Sequence, residues 1–325
     1  MPISGSDRKK QLTGYVLALV ACLLPALAGA QPAAFPSRPV RVIVPFPPGG
    51  PSDFVARMLT DRLGAALGGT VIVENKPGAG TAIGTDAVAK AAPDGHTMMI
   101  VAAMSAVSLP YTLDDLMLLN RFAATPFVLA VNASVPARDV KELIAYAKAN
   151  PNKMNYGTSG VGQSYHLAAE LFRMRTGVEL NHVPYKGSAP ALTDLLNGTI
   201  QLIFDVPLTP PPHVASGKVR VLGTTGPSRL AQLPDTPTFR EQGLAEYNPE
   251  LWWGVFGPKG IPREVAHRLH AEIGRVTAMP EVKDQLGKRA IVTSTCATLE
   301  ACAADLRAES ELVGGIIRRI GLKPE

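Results

Sequence analysis

Three glycine-rich stretches of the sequence each lie between an apolar run typical of a strand and a run typical of a helix. They are Pro45–Asp53 (PFPPGGPSD), Pro77–Thr81 (PGAGT) and Gly157–Ser164 (GTSGVGQS). The unpaired backbone N–H groups at a helix start, together with the positive end of the helix dipole, attract anions. Such turns are common, so one alone predicts little. Three in one chain predict a shared polar pocket, in which backbone amides and serine hydroxyls hold a carboxylate.

The spacing of the glycines excludes the common nucleotide motifs. Gly78–Gly84 reads GAGTAIG, one residue too long for the dinucleotide fingerprint, and the sequence has no P-loop of the form GxxxxGKS or GxxxxGKT. The residues around Ser159 do not form a GxSxG nucleophile elbow. Ser159, His166 and Asp205 are a conceivable hydrolase triad, but a triad is recognised by geometry. His166 falls in the first turn of a predicted helix, where it more simply lines or supports the third loop.

Other polar and aromatic residues near these loops allow two interpretations each. Asp205 ends an apolar strand, so its carboxylate either caps the next turn or accepts a hydrogen bond from a ligand. Asp53 follows Ser52 at a predicted helix N-terminus, where a negative charge supports the helix dipole. Trp252 and Trp253 form either a pocket wall or part of the buried core.

Short apolar strands alternate with amphipathic helices along the chain. The predicted strands are 40–44, 71–74, 98–102, 127–131, a short one ending near Tyr156, 180–184, 200–204 and 219–224. The predicted helices are 53–67, 80–91, 138–149, 164–175, 189–197 with Ser188 as its N-cap, 262–278, and 299–320, which Gly314 and Gly315 weaken. This alternation predicts an α/β chain with mainly parallel sheets. In such sheets ligands bind beyond the carboxyl ends of strands, where loops enter helices.

The first thirty residues read as a secretory signal peptide. A basic start at Arg8–Lys10 precedes an apolar run, and Ala28–Ala30 has the small residues of a cleavage site. The run is too short for a membrane-spanning helix, which needs roughly 20 residues. A competing lipoprotein signal, Leu19–Cys22, would attach a lipid to Cys22, but apolar residues continue past that cysteine. We therefore expect soluble export to the periplasm, and the remaining chain is long enough for two domains.

Charge and cysteine content exclude several classes of function. The formal net charge is +5 at pH 7 and the basic residues are scattered, so we expect no nucleic-acid partner. Cys296 and Cys302, six residues apart on either side of a predicted N-cap at Thr298, form either a local disulfide or two free buried thiols. Because the sequence has no CxxC motif and no histidine near these cysteines, we expect no metal site, and we expect no cofactor.

Several longer motifs together resemble one known family. They are SRPVRVIVPFPPGGPSDFVAR at 37–57, VIVENKPGAG at 71–80, AAPDGHTMM at 91–99, NYGTSGVGQSYHLAAELF at 155–172, VPYKGSAPALTDLLNG at 183–198 and FD at 204–205. In this order they closely resemble the substrate-binding receptors of tripartite tricarboxylate transporters, the Bug-type extracytoplasmic receptors. The resemblance runs from about Phe35 to the C-terminus.

The resemblance implies a two-domain periplasmic binding protein of the type II-like α/β class, with a ligand cleft between the domains. Residues 1–30 would be the signal peptide, 31–130 with 226–325 the first domain, and 131–225 the second domain. Two hinge strands would cross near Phe127–Asn132 and Val219–Thr225. In such receptors the first and third glycine loops contribute backbone amides to a ligand carboxylate. The residues that the resemblance assigns to ligand binding are Phe46, Gly49, Ser52, Asp53, Ala79, Gly80, Ser105, Thr158, Ser159, Gly162, Gln163, Ser164 and Asp205.

The chain departs from the family pattern at three places. The family commonly has GAGG where this chain has Gly78–Thr81, and its FDN becomes Phe204–Val206. The segment after Ser105 is about ten residues shorter than usual. The last two departures touch the rim of the expected cleft, so they bear most on the identity of the ligand.

Three hypotheses follow for the function. The first is a non-enzymatic, monomeric receptor that closes around a small carboxylate and delivers it to the permease subunits of a tripartite tricarboxylate transporter. Its ligand would be a di- or tricarboxylate, an acidic amino acid or an aromatic acid. The second is a secreted hydrolase-like enzyme that uses Ser159 or Ser164. The third is a sensor that presents its loaded state to a signalling partner.

Overall fold

The computed structural model describes residues 35–102, 115–208 and 210–321. The predicted signal peptide, Cys22, and Ser105 with the shortened segment after it lie outside these residues. Within the described ranges, no helix combines the length and the apolar character needed to cross a membrane.

The described strands follow the chain in eleven segments. In order they are β1 (Val40–Val44), β2 (Val71–Asn75), β3 (Thr97–Ala102), β4 (Leu116–Pro126), β5 (Val128–Asn132), β6 (Asn155–Thr158), β7 (Asn181–Pro184), β8 (Leu202–Asp205), β9 (Val219–Thr224), β10 (Glu250–Pro258) and β11 (Val292–Thr293).

The described helices connect these strands. In order they are α1 (Pro51–Leu67), α2 (Ala82–Ala89) after a 3-10 turn at Ala79–Thr81, α3 (Val140–Ala149), α4 (Ser164–Thr176), α5 (Ser188–Asn197), α6 (Pro211–Ala215), α7 (Arg263–Ala278), α8 (Pro280–Gly287) and α9 (Leu299–Ile320). The last helix is continuous through Gly314 and Gly315.

The strands form two sheets, which confirms the predicted two-domain α/β architecture. One has the order β11-β4-β10-β3-β1-β2 and the other the order β7-β6-β8-β5-β9. The prediction of mainly parallel sheets was wrong, because both sheets are mixed. β1 is parallel to β2 and β3, and β6 is parallel to β7 and β8, but β10 runs antiparallel to β3 and β4. β5 is likewise antiparallel to β8 and β9.

The parallel strands bring the glycine loops together. The carboxyl ends of parallel neighbours lie at the same edge of a sheet. Since β1 and β2 are parallel, the first and second loops leave the first sheet at one edge. Since β6 and β7 are parallel, the third loop leaves the second sheet beside the turn 185–187, which precedes α5.

The chain passes between the sheets where two segments bond to each other. β4 runs almost directly into β5, and the Phe127 N–H donates to Thr225 Oγ1 over 2.8 Å. The Thr225 N–H in turn donates to the Phe127 carbonyl over 2.9 Å. These two residues lie within the predicted hinge crossings. After Thr225 the chain continues past Phe239 and Tyr247, whose rings pack around Phe172 of α4. The residue limits of the two domains stay a prediction.

Two long strands, β4 and β10, lie outside the elements predicted from sequence. Almost every residue of both is buried, so neither shows the alternation of apolar and polar residues that marks a half-buried strand. Trp252 and Trp253 lie in β10 and are buried. Of the two interpretations of this pair, the structure supports the one in which both tryptophans belong to the buried core.

Cys296 and Cys302 form a disulfide. It brackets the start of α9, where the Thr298 hydroxyl oxygen accepts from the Ala301 N–H and caps the helix as predicted. Cys302 and Leu306 pack in the core of the first sheet. The disulfide therefore fixes the beginning of α9 to this core.

Reduction of the disulfide is expected to destabilise the protein. The sequence separation of six residues closes a small loop, for which loop-closure entropy gives about 2 kcal/mol. We expect a reductant to lower the thermal unfolding midpoint of the parent protein by several degrees. It should leave the double variant Cys296→Ala/Cys302→Ala unchanged. An equal response of both proteins would contradict a stabilising disulfide.

Candidate functional site

A cavity of about 270 Å³ lies between loops of the two sheets. Small-molecule pockets in proteins generally span about 300–1,000 Å³, so this cavity suits a small ligand. Residues of both sheets line it: 46–52, Ala102, Ser159, 163–165, 186–190 and Leu251.

The predicted ligand-binding residues divide between this cavity and its surroundings. Those that line it are Phe46, Gly49, Ser52, Ser159, Gln163 and Ser164. The other described ones, Asp53, Ala79, Gly80, Thr158, Gly162 and Asp205, are not among the lining residues, and Ser105 lies outside the described residues. The first and third loops thus meet at one cavity, and ligand binding by these residues stays a prediction.

Three helices begin at the cavity without a side-chain cap. Their N-cap residues are Gly50 for α1, Gln163 for α4 and Gly187 for α5, and none of these makes a side-chain hydrogen bond to the helix. Asp139 caps α3 and Thr298 caps α9 through their side-chain oxygens, while α2, α6, α7 and α8 also lack a side-chain cap but do not start at this cavity. Uncapped helix starts leave N–H donors and the positive dipole end for another partner. The cavity therefore favours an anion.

The Asp53 carboxylate braces the first loop from behind. Its Oδ2 accepts from the Gly49 N–H and from Arg57 Nε, both over 3.0 Å. Its Oδ1 accepts from Asn75 Nδ2 over 2.9 Å, and the same amide nitrogen donates to the Phe46 carbonyl. Burial raises the pKa of Asp53, but the hydrogen bonds from Arg57, Gly49 and Asn75 outweigh it and hold the pKa below its usual value. Asp53 thus holds Gly49 in place.

Ser52 ties the first loop to the centre of the first sheet. Its Oγ accepts a 3.0 Å hydrogen bond from Nε1 of Trp253, whose side chain is fully buried. A hydroxyl that accepts one hydrogen bond keeps its own proton for donation. Ser52 is therefore placed to position the loop and also to donate into the cavity.

A hydrogen bond joins the second loop to the third. Gln163 Nε2 donates to the Gly80 carbonyl over 2.7 Å, across the gap between the two sheets. The turn around Gly80 has positive φ angles at Ala79 (44°) and Thr81 (87°). A positive φ favours glycine, so threonine in place of the family's glycine at position 81 carries backbone strain.

Lys186 and Tyr165 line the cavity but were missed by sequence reasoning. The sequence feature that could have identified them is the turn 185–188 (YKGS), which is a fourth glycine-containing connection from a strand to a helix. Ser188 was predicted to cap α5, which was wrong: Gly187 holds the cap position. Ser188 instead shares a hydrogen bond with the Tyr165 hydroxyl. Among the described lining residues Lys186 is the only charged side chain.

Asp205 lies behind this part of the wall. It is fully buried at the end of β8, and its Oδ1 accepts from the Val206 N–H over 2.8 Å. Burial, reinforced by the negative charge of Asp205, raises the pKa of Tyr165 well above its usual value. Asp205 thus adds to the effect of burial on Tyr165 without lining the cavity itself.

The conceivable triad of Ser159, His166 and Asp205 is not assembled. Nδ1 of His166 accepts from the Gly162 N–H over 2.9 Å, and its Nε2 lies 3.8 Å from Oε1 of Glu170. Both ring nitrogens therefore face groups other than a serine hydroxyl. A general base must lie within hydrogen-bond reach of the proton that it takes.

A larger cavity of about 660 Å³ lies elsewhere, between residues 225–232 and the end of α8. None of the glycine loops that precede helices lines it, and its two arginines are Arg229 and Arg240. Arg229 pairs with Glu241 at the surface. Size alone favours this cavity, but the smaller one has the three uncapped helix starts, so we assign the candidate site there.

A family model with the description "Tripartite tricarboxylate transporter family receptor" matches residues 55–322. The chain belongs to this receptor family. It is 39% identical over 300 residues to a protein from the tcbD–tcbE intergenic region of a Pseudomonas species, covering 90% of this chain and 88% of that one. It is 34% identical to the protein BugT of Bordetella pertussis, covering 89% and 91% of the two chains.

Solved structures of receptors share this fold. The periplasmic binding protein BugD has a TM-score of 0.80 at 31% identity, with 90% of this chain and 100% of that chain covered. An R. palustris protein solved with adipate has a TM-score of 0.81 at 30% identity, with the same coverage. MatC from Rhodopseudomonas palustris, solved with bound malate, has a TM-score of 0.79 at 27% identity, covering 87% and 100%.

Removal of the Ser52 hydroxyl is expected to destabilise the receptor by about 1–3 kcal/mol, because the buried Trp253 N–H then lacks its acceptor. Urea unfolding of Ser52→Ala measures this loss, and Ser216→Ala, an exposed serine outside the cavity lining, is the control. In a Trp253→Phe background, Ser52→Ala should cost much less. An equal cost in both backgrounds would contradict the hydrogen bond as the cause.

Proposed function

We propose that this chain is a periplasmic receptor that binds a small carboxylate in the 270 Å³ cavity. The observation that carries the proposal is the meeting of three uncapped helix starts, at Gly50, Gln163 and Gly187, in one cavity. Lys186 adds a positive charge, and no acidic side chain is among the described lining residues. Backbone N–H groups at helix starts bind carboxylates well because both charge and geometry match.

The ligand class that fits is a di- or tricarboxylate, an acidic amino acid or an aromatic acid. The family relatives solved with adipate and with malate each hold a dicarboxylate. One carboxylate would contact the amides and serine hydroxyls of the first and third loops, and Lys186 would attract a second one at the rim. Phe46 and Leu251 provide apolar contact for the carbon chain.

Binding would be coupled to closure of the two domains. The cavity wall comes from both sheets, so a bound ligand contacts both and stabilises the closed arrangement over an open one. The Gln163–Gly80 hydrogen bond adds a direct contact in the closed arrangement. The segments at Phe127 and Thr225 would act as the hinge, with 31–130 plus 226–325 and 131–225 as the two domains.

The loaded receptor would deliver its ligand to the membrane permease of a tripartite tricarboxylate transporter. The family description names such a transporter. Residues 1–30 would direct export as a signal peptide, and the Cys296–Cys302 disulfide suits an oxidising compartment.

A thermal unfolding screen tests the ligand class. The mature protein, freed of carried-over ligand by partial unfolding and refolding, is screened against adipate, malate, citrate, glutamate and benzoate. A ligand at about a thousandfold its Kd should stabilise the protein by roughly 4 kcal/mol. The absence of a shift with every one of these acids would contradict the carboxylate proposal. Consumption of a carboxylate ester would favour the hydrolase, and a response of a linked kinase would favour the sensor.

Ser159→Ala is expected to weaken binding of the best acid about tenfold or more. A hydrogen bond to a charged group contributes roughly 1.5–3 kcal/mol, and each 1.4 kcal/mol is a factor of ten in Kd. Titration calorimetry measures the change, with Ser216→Ala as the matched control. Unchanged affinity in Ser159→Ala would remove the third loop from the ligand contacts.

Lys186→Gln is expected to weaken binding of a dicarboxylate a few-fold at low salt, because an exposed charge pair contributes about 0.2–1 kcal/mol. The difference should shrink at high salt, where charges are screened. Lys141→Gln, an exposed lysine on α3, changes the net charge equally and is the control. If both variants weaken binding alike, Lys186 acts only through net charge.

A further inference from the structure

Two histidines stack directly behind the third glycine loop. The rings of His166 on α4 and His182 on β7 lie 4.0 Å apart between centroids and 9° from parallel. The ring of Tyr156 of β6 lies beside both, with its centroid 5.0 Å from that of His182 and 6.3 Å from that of His166. His166 is only 4% exposed. The pair lies outside the cavity lining, so it does not touch a ligand there.

Each histidine holds part of the loop through a ring nitrogen. His166 Nδ1 accepts from the Gly162 N–H over 2.9 Å, which requires an unprotonated Nδ1. His182 Nε2 lies 2.6 Å from Thr158 Oγ1, and that hydroxyl oxygen also accepts from the Gly160 N–H. Gly160 and Gly162 have φ angles of 141° and 68°. The loop between Thr158 and Gln163 is therefore held in an unusual backbone shape by these contacts.

The charged groups that face the pair come from two elements. On α4, Glu170 lies near His166. Glu170 also binds Arg173, whose Nη1 donates to both carboxylate oxygens over 2.6 and 2.8 Å. On β6, the Tyr156 hydroxyl also donates to Glu170. The negative charge of Glu170 is therefore compensated largely by the Arg173 cation and by the hydrogen bond from Tyr156.

Both imidazoles favour the neutral form. Burial lowers the pKa of His166, against a smaller opposing effect of Glu170. Burial and then the neighbouring His166 lower the pKa of His182 to about 4. Two positive rings stacked at this distance would also repel each other strongly.

We infer that neutral His166 is a positioning residue of the receptor, which fixes the third loop in its ligand-binding shape by accepting the Gly162 N–H, and that protonation of the His166–His182 pair releases this loop. A protonated His166 donates at both nitrogens and has no acceptor for Gly162. The direction of the pH effect follows from the hydrogen bond that holds the loop, because this bond requires His166 to be neutral. The hold is complete above about pH 6.5, the ordinary pKa of histidine, and is lost as the pH falls through the lowered pKa of His166.

This inference rests on the proposed function only for its effect on binding. Released from His166, the amides of the third loop and Ser159 no longer converge on one carboxylate. Ligand affinity should therefore fall in acid by more than the protonation of the ligand itself explains.

His166→Asn is the decisive variant, because Asn Oδ1 occupies the position of Nδ1 and accepts without titrating in this range. We expect it to bind adipate or malate like the parent protein at pH 7.5, and about tenfold more tightly than the parent at pH 4.5. Ligand protonation is common to both proteins and cancels in this ratio. His166→Leu, which lacks an acceptor, should bind about tenfold more weakly at pH 7.5. His267→Asn on α7, an exposed histidine, should follow the parent at both pH values.

A second measurement needs no ligand. In the ligand-free parent, the Gly162 amide resonance should shift as His166 titrates below pH 6.5, and it should stay fixed in His166→Asn. Circular dichroism identifies the lowest pH at which both proteins stay folded, and the comparison is made there. If none of the five screened acids binds the parent at pH 7.5, the proposed ligand class fails, and the Gly162 titration still decides the role of His166. The inference is overturned if His166→Leu keeps full affinity, or if His166→Asn and the parent titrate alike.

Discussion

The cavity depends on three helix starts that face each other without side-chain caps. A glycine at the N-cap costs a helix only about a few tenths of a kcal/mol relative to a capping side chain, and helix dipoles that point their positive ends at one space repel each other. Among the described helices only α3 and α9 have a side-chain cap, from Asp139 and Thr298, so what distinguishes the cavity is that three uncapped starts meet there. At Gly50, Gln163 and Gly187 the cap position carries no side-chain hydrogen bond. Under the proposed function, an anionic ligand would accept from the free N–H groups of these helices and would thereby stabilise the closed state.

Polar side chains near the cavity mostly act from behind its wall. Asp53 holds Gly49, Ser52 ties the first loop to Trp253, and His166 holds Gly162. In each case a side chain fixes a backbone segment at or beside the cavity. Glycine loses more conformational entropy on ordering than other residues do. These hydrogen bonds order the loops during folding, so under the proposed function the loops would be ordered before a ligand binds.

The two sheets are joined by contacts of very different strength. The hinge at Phe127 and Thr225 is a pair of buried hydrogen bonds, and Gln163 makes one further contact with Gly80. Helix α9 also bridges them: Cys302 and Leu306 pack in the first core, while Val313 and Ile316 pack on Leu167 of α4. This last cluster has few buried members, so the domain opening proposed above would separate only a small apolar contact there.

The sequence by itself determined the α/β class, the glycine loops and most element boundaries, because these follow from local spacing and turn chemistry, and its longer motifs indicated the family by resemblance. β1, β9 and α9 were predicted with the bounds that the structure has. It did not reveal β4 and β10, whose nearly complete burial removes any periodic signal. Only the tertiary structure decided that Lys186 joins the cavity while Asp53 and Asp205 lie behind it, that Gly187 and not Ser188 starts α5, and that the two cysteines pair. The direction in which a polar side chain points is set by which strands become neighbours, and that pairing joins residues far apart in the chain.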